Sequence, residues 1–397
     1  MSGPLRVAAV ITRLEGGAGA MALRGARALD PREFAVTVIT GSGRRLCAEA
    51  ADSGLDVVLE SALRAPVSPA ADLRALRRLT ALLRGGAFDV VHTHCAKAGA
   101  LGRLAAHRAG TDRIVHSYHG FPFHEFQRAP LRRAYLAVER ALGRITDVAL
   151  CVGTGVAVEA VRRGLIAPER VRTTGVAVPP VPLRPGRARR LLGLPPAAVV
   201  VGSVGRLVPQ KAPEDWVLAL ARLRTPGVRG VWVGDGDLAE RARAAADRLG
   251  VPVDFAGDRP DAAELVQAFD VFAQSSRYEG LPLAVVEAMR CGVPVVATAV
   301  NAVGDVVVPG VTGLLVPPAR PELLAGAVDA LLADPAGAAR LAARARERVR
   351  AAHTEAGLAD EIAAAYRPVT PATAGSALMG AAGGTPVTCG DRHPLNE

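Results

Sequence analysis

Aromatic residues make up only 4% of this chain. Without aromatics interleaved with basic side chains there is no platform on which bases can stack, so nucleic-acid binding is not expected. Cysteine is also sparse. The five cysteines (Cys47, Cys95, Cys151, Cys291, Cys389) are scattered, odd in number and form no CxxC pair. That argues against a disulfide framework or a zinc site and for reduced thiols in a cytosolic protein. No apolar run reaches the roughly 18 residues needed to cross a bilayer. The opening MSGPLRVAAVI enters a strand pattern directly, without the basic region, apolar core and cleavage site of a secretory signal. A cytoplasmic location, including the inner face of the plasma membrane, is therefore the expectation. Lysine is almost missing, with two residues, Lys97 and Lys211, against 46 arginines.

What is present is a globular composition, half of it hydrophobic, on 397 residues, enough for two domains with full cores. The charge is uneven. Residues 1–178 carry 25 Lys+Arg against 15 Asp+Glu, and 25 − 15 gives the whole formal +10; residues 179–397 balance at 23 against 23. Two explanations stand side by side: an anionic partner for the first half, or a chain-wide preference for arginine. Two basic helices, around Leu73–Arg84 (Arg74, Arg77, Arg78, Arg84) and Leu131–Arg144 (Arg132, Arg133, Arg140, Arg144), pose the same choice. Either they rest on anionic lipid, or they pack on a sheet and leave their arginines in water. In the first, Leu73, Leu76, Leu79 and Leu83 form the expected apolar face.

Strand and helix patterns alternate along the chain. Strands are expected at Leu5–Ile11, Ala35–Thr40, Leu55–Leu59, Phe88–His92, Ile114–Tyr118 and Val148–Val152, with helices between them. Continuous apolar strands separated by helices imply a parallel sheet covered on both faces. The glycine loop after the first strand, with Gly16, Gly17 and Gly19, opens a Rossmann-like unit but lacks the dinucleotide spacing. The loops HTHCAKAG and HSYHGFPFHEF follow the fourth and fifth strands and hold five of the eight histidines, His92, His94, His116, His119 and His124. His92 and His94 are read as alternating across their strand, and no acidic or cysteine cluster stands at metal-ligand spacing beside them. Val178–Pro185 is proline-rich and reads as an interdomain linker. The alternation then restarts at Val199–Val204, followed by Gly205-Arg206-x4-Lys211, a loop that can clamp a pyrophosphate between a planar fork and a point charge. In GDGDL (Gly234–Leu238) the aspartates are expected to cap the next helix rather than bind metal. Gly257-Asp258-Arg259 is a candidate base-contacting loop, and the residues from Arg367 on lack periodicity.

The stretch Arg277–Thr298 is the most informative. Glu279 and Glu287 stand eight positions apart around Gly280-Leu281-Pro282, which opens a helix closed by Cys291-Gly292. Free amides at Gly280 and Leu281 suit an anion. A carboxylate on each side of a bound phosphate can take sugar hydroxyls on one flank and ribose hydroxyls on the other. Two ordinary solvated helix charges would show the same spacing.

Taken together, VGRLVPQK, VGDGDL, AQSSRYEGLPLAVVEAMRCGVPVVAT and VPGVTGLLVPP, over about residues 200–318, resemble a family-4 glycosyltransferase of the GT-B fold: α/β, two Rossmann-like domains facing across a cleft. VVHTHCAKAGALGRLAA and YHGFPFHEF extend the resemblance toward bacterial exopolysaccharide and surface-glycan enzymes. It implies an acceptor-binding domain over 1–178, a linker at 179–190 and a donor-binding domain over 191–354. A helix at 355–367 would cross back to the first domain, and a disordered tail would cover 368–397. It also implies a retaining transfer from a nucleoside diphosphate sugar to an unidentified, lipid-linked or otherwise anionic acceptor, without cofactor or divalent metal. Arg206 and Lys211 would hold the diphosphate, Glu287 the ribose, and Glu279 the donor sugar. The amides of Gly280 and Leu281 would meet sugar and phosphate, and His119 would lie beside the reactive carbon. Gly16 and Gly17 would border phosphate and acceptor, and Gly257 and Asp258 the base. The chain departs from the family pattern at Ala212, where glycine usually follows the lysine, at Asn301-Ala302, which replaces a common glycine pair, and at Gly175-Val176-Ala177, which lacks the frequent asparagine and aspartate. A nucleotide-sugar epimerase of the same fold and a catalytically silent sensor are the competing classes.

Overall fold

Strands buried on both faces need helices on either side, and that requirement shapes the N-terminal half. The computed structural model describes residues 3–368, so nearly all of the tail expected at 368–397 lies outside the described residues. Seven strands, β1 (Leu5–Ile11), β2 (Phe34–Thr40), β3 (Asp56–Leu59), β4 (Val90–His94), β5 (Arg113–Tyr118), β6 (Val148–Val152) and β7 (Val171–Thr174), form one parallel sheet. Their order is β3-β2-β1-β4-β5-β6-β7. The crossovers are α1 (Gly16–Ala28), α2 (Arg44–Asp52), α3 (Pro69–Gly86), α4 (Ala96–Ala109), α5 (Ala129–Gly143) and α6 (Thr154–Arg162). Strand order reverses between β1 and β4, which leaves a crevice at the carboxyl edge of the sheet.

The second half repeats the plan. After α7 (Pro185–Leu191) come β8 (Val199–Val204), α8 (Pro213–Leu220), β9 (Val228–Val233), α9 (Ala239–Leu249), β10 (Val253–Phe255) and α10 (Ala262–Leu265). Then follow β11 (Val271–Gln274), α11 (Leu283–Cys291), β12 (Val295–Thr298), α12 (Val303–Val306), β13 (Leu314–Val316), α13 (Pro321–Ala333) and α14 (Pro335–Ala352). This sheet runs β10-β9-β8-β11-β12-β13, again parallel, with its reversal between β8 and β11. The last helix, α15 (Glu355–Tyr366), lies on the N-terminal half. Arg113 donates to the Ala365 carbonyl at 3.0 Å, and Glu361 accepts from the Gly175 amide at 2.9 Å. Gly25 of α1 is required by this contact, because a Cβ there would stand 2.6 Å from Ile362. Both halves and α15 form one compact unit through Tyr366.

Several local expectations are corrected. β4 begins and ends two residues later than the apolar pattern indicated, because His92, Thr93 and His94 continue it as buried polar residues with side-chain partners across the sheet. The stretch expected as linker, 179–190, contains most of α7, whose first residue is Pro185; proline suits a first helical turn. β7 was not foreseen. On α3, Leu76, Leu79 and Leu83 are buried as expected, together with Ala75 and Thr80, whereas Leu73 is 48% exposed. Neither Asp235 nor Asp237 caps α9, whose N-cap is Leu238. Asp235 instead accepts from the Gly236 amide, and its backbone is tied to Leu207 of the neighbouring loop.

Candidate active site

The two reversal points face each other, so the loops after β1, β4, β5, β8 and β11 meet in one cleft. On the C-terminal side, β8 leads into Gly205–Ala212. Arg206 is exposed, and its side chain makes no hydrogen bond or ion pair among the described residues. Lys211 turns inward and its Nζ lies 2.5 Å from Glu279 Oε1. Ala212 has left-handed backbone, φ 47°, and is the N-cap of α8. The Ser275 hydroxyl lies 2.8 Å from the Lys211 carbonyl and 3.0 Å from that of Ala212. Glycine suits that φ without strain; alanine keeps the same turn at a cost on the order of 1 kcal/mol.

Glu279 is not a solvated charge. Its side chain is 6% exposed, and its Oε1 also accepts from Ser276 at 2.6 Å and Gln274 at 3.0 Å. Gln210 reaches Oε2 at 3.2 Å, leaving that oxygen the emptier of the two. The Glu279 amide donates to the Asn301 side chain at 3.0 Å, and Asn301 itself sits at φ 45°. Asparagine tolerates that conformation, so the departure from glycine here adds a bond to the site loop.

Pro282 is the N-cap of α11, so the helix begins one residue later than the proline. Gly292, at φ 75°, closes it. Val285, Val286, Ala288 and Met289 are buried and anchor α11, the larger ones worth roughly 1.5–3 kcal/mol each. Glu287 falls in the second turn of the helix. It is largely enclosed, and its nearest cation, Arg24 of α1, lies across the cleft at 3.8 Å. Burial pushes the Glu287 carboxyl above the usual range, and Arg24 pulls it back. Arg24 carried no signal in the sequence.

From the N-terminal side, the loop after β5 touches the same segment. A Cβ on Gly280 would stand 2.0 Å from the His119 carbonyl oxygen, so only glycine permits this approach. Beyond it, His124 stacks on Tyr278 with centroids 4.0 Å apart, and Arg277 lies 5.5 Å over the Phe126 ring. His119 Nε2 lies 3.0 Å from His94 Nδ1. His92 and His94 do not alternate: residues two apart in a strand share a face, and their rings lie 4.1 Å apart. His92 is held between Tyr366 and Ser117, at 2.8 Å each, and His116 bonds Thr93. Burial keeps all four neutral, with His119 pushed down to about 4 and His92 to about 3. Among the described residues no group of three or more His, Cys, Asp or Glu is arranged to hold a metal ion.

The remaining candidates border the same cleft. α1 starts at Gly16, which has φ 62°, and Gly16 and Gly17 are both exposed. A Cβ on Gly17 would lie 3.6 Å from Leu283, the first residue of α11, so the N-termini of α1 and α11 are close together. Both favour an anion between them. The Gly257 carbonyl accepts from the Gly234 amide at 2.7 Å, which joins its loop to the loop after β9; Asp258 is exposed. The Leu281 side chain is buried, which leaves its backbone for a ligand.

Two similar α/β sheets joined in this way, with a site between their carboxyl edges, define a GT-B fold. Residues 15–180 match Glycosyltransferase Family 4 and residues 187–348 match Glycosyl transferases group 1. A D-inositol 3-phosphate glycosyltransferase of Stackebrandtia nassauensis is 36% identical over 311 residues, covering 71% of this chain and 68% of the relative. The UDP-Gal:alpha-D-GlcNAc-diphosphoundecaprenol alpha-1,3-galactosyltransferase of Escherichia coli is 30% identical, over 58% of this chain and 62% of the relative. The chain thus spans about two thirds of the length of these curated relatives. Among solved structures, Anabaena HepE with UDP and glucose superposes with a TM-score of 0.80 at 22% identity, covering 91% of this chain and 98% of that one. The chain belongs to the GT-B glycosyltransferases with family-4 and group-1 domains. No helix among the described residues is long and apolar enough to cross a membrane.

Proposed function

We propose that this protein is a retaining glycosyltransferase. It moves a hexose-type sugar from a nucleoside diphosphate sugar to a phosphate-bearing acceptor in the synthesis of a bacterial surface glycan. The observation that carries the reading is the enclosure of Glu279 and Glu287 on either side of the α11 N-terminus, with Lys211 bound to the first of them. Neither carboxylate is spent on solvent, and the cleft between them suits a diphosphate. In this reading Arg206 and Lys211 hold the diphosphate with the amides of Gly280 and Leu281. Glu287 takes the ribose, Glu279 the sugar hydroxyls, and Gly257 and Asp258 flank the base. Gly16 and Gly17 border phosphate and acceptor.

Loss of the leaving group puts negative charge on the phosphate oxygen. A lysine, an arginine and helix N-termini stabilise that charge without a divalent ion. The bond from the anomeric carbon to the phosphate oxygen breaks, the acceptor oxygen bonds to the same face, and the acceptor proton passes to the departing phosphate. The electron-poor sugar lies between Glu279 and neutral His119. The acceptor class is supported by the +10 charge of residues 1–178 and by the relatives' named acceptors, a lipid diphosphate and an inositol phosphate. α5 supports docking on anionic lipid, because exposed Leu131 and Val138 stand among exposed Arg128, Arg133, Arg140 and Arg144.

The test is a thermal-shift and hydrolysis screen of UDP-, GDP-, ADP- and dTDP-sugars in EDTA, with Glu287→Ala alongside. One nucleotide sugar should stabilise and be slowly hydrolysed by the wild type but not by the variant. Binding without any turnover would favour the sensor, and an inverted anomeric proton signal in early product would exclude retention.

A further inference from the structure

Among the described residues, Arg24 is the one charged side chain of the N-terminal half that forms an ion pair with Glu287. Its guanidinium has two engagements. Nη1 donates to the Ala177 carbonyl at 2.8 Å, and Nη2 faces Glu287 Oε1 at 3.8 Å. Ala177 is fully buried in the connection between the two halves, where Glu361 and His353 also hold the backbone at Gly175 and Val176. The planar fork is therefore fixed at one end to the connection and presents its other end to the carboxylate. Arg24 and Glu287 are 22% and 13% exposed, so water screens the pair weakly. The other titratable group near Glu287 is the Cys291 thiol one turn along α11, itself faced by Arg290 and by Arg346 of α14. Neither arginine replaces Arg24, which among the described residues makes the ion pair with Glu287.

A carboxylate can accept both hydroxyls of a vicinal diol only when it is ionised and correctly turned. We propose that Arg24 is a positioning residue of the donor site, pinned to the interdomain connection through Ala177 and holding the Glu287 carboxylate for the ribose hydroxyls. The proposal rests on the assignment of ribose to Glu287 made above. At 3.8 Å the contact is an ion pair and not a hydrogen bond. An approach of about 1 Å between α1 and α11 would make it one, so the grip on ribose tightens as the halves close.

The experiment compares calorimetric binding of UDP with 2′-deoxy-UDP, GDP with 2′-deoxy-GDP and ADP with 2′-deoxy-ADP. The proteins are wild type, Arg24→Met, Arg24→Lys, Glu287→Gln and the double variant Arg24→Met/Glu287→Gln. Wild type should prefer the ribonucleotide of its pair by about tenfold or more, as expected for a hydroxyl on a charged acceptor. Arg24→Met should cut that preference about threefold or more, with little change in affinity for the deoxy member. Arg24→Lys should fall between, and should carry the test if Arg24→Met does not fold. Glu287→Gln should remove the preference, and adding Arg24→Met to it should change nothing further. Equal weakening of both members by Arg24→Met, or an intact preference, would overturn the proposal and leave Arg24 a structural tie. A wild type with no ribose preference, or no binding of any pair, would instead overturn the assignment of Glu287, and this inference with it.

Discussion

Gly280→Ala probes the contact that joins the two halves at the site. The added Cβ would lie 2.0 Å from the His119 carbonyl oxygen, 2.7 Å from its carbon and 3.1 Å from Val152 Cγ2. Carbon and oxygen approach comfortably to about 3.3 Å, so the loops must part by about 1.3 Å, the difference between 3.3 and 2.0. The first two obstacles are backbone and cannot swing aside. Overpacking of this kind costs about 1–3 kcal/mol, a melting shift of a few degrees. The larger effect should be catalytic. Glu279 and His119 would move apart across the proposed sugar site, and a misplacement near 1 Å can lower kcat/KM by about 100-fold. Thermal melts and steady-state donor hydrolysis on wild type, Gly280→Ala and Gly17→Ala read both effects. Gly17→Ala is the control for packing, since its Cβ would meet only a side chain at 3.6 Å and should leave the melt unchanged. Wild-type melting and wild-type kcat/KM in Gly280→Ala would refute the claim that this contact sets the site.

Three further outcomes are expected. Ala212→Gly relieves the left-handed backbone at φ 47° and should stabilise the protein by about 1 kcal/mol in denaturant titration, with donor affinity equal or better; a loss of stability would show that the turn is unstrained. Lys211→Met leaves Glu279 buried without its cation and should cost about 3 kcal/mol. Adding Glu279→Gln should restore most of that stability while nucleotide binding stays lost, a pattern that thermal melts and calorimetry separate. His92, His94, His116 and His119 are all pushed below the ordinary histidine range by burial, so below about pH 6.5 the unfolded chain binds protons that the native state refuses. Stability should be complete above that pH and should fall as pH drops toward 4, by about 1.4 kcal/mol per unit for each histidine still neutral. A flat stability profile between pH 7 and 5 would contradict the cluster.

Much of the fold was legible because the signals were local. β1, β6 and β8 are predominantly apolar runs between turns, and α13, α14 and α15 each start at or beside a recognisable proline, acidic or threonine residue. β4 was displaced because its last three residues are His-Thr-His, which read as loop until Ser117, His116 and Tyr366 are seen to satisfy them. β7, sequence VRTT, lies at the sheet edge and is only partly buried, so periodicity had little to report. α7 was hidden because the prolines that mark a linker also start helices. In the site, Glu279, Glu287, Arg206 and Lys211 carried a spacing, whereas Arg24 and His94 matter through neighbours distant in sequence. Arg24 meets Ala177 and Glu287, and His94 meets His119, only after the chain has folded.

Two of the substitutions of glycine show most clearly where reading by pattern stops. Ala212 and Asn301 both stand where the family pattern has glycine, and as letters both count as losses. Both also adopt left-handed backbone, at φ 47° and 45°. Alanine brings no hydrogen bond to offset the strain: its methyl is buried and makes no polar contact, and the turn is held by Ser275 instead. Asparagine brings a carbonyl that accepts the Glu279 amide at 3.0 Å, at the point where a Cβ on Gly155 would press within 2.5 Å of the Asn301 backbone oxygen. Glycine at 301 would keep the backbone and lose the bond, so the loop carrying Glu279 would be held less firmly against the N-terminal half. One departure is thus a strained turn, and the other adds a restraint to the site. Only the backbone angle together with the side-chain partner separates the two cases.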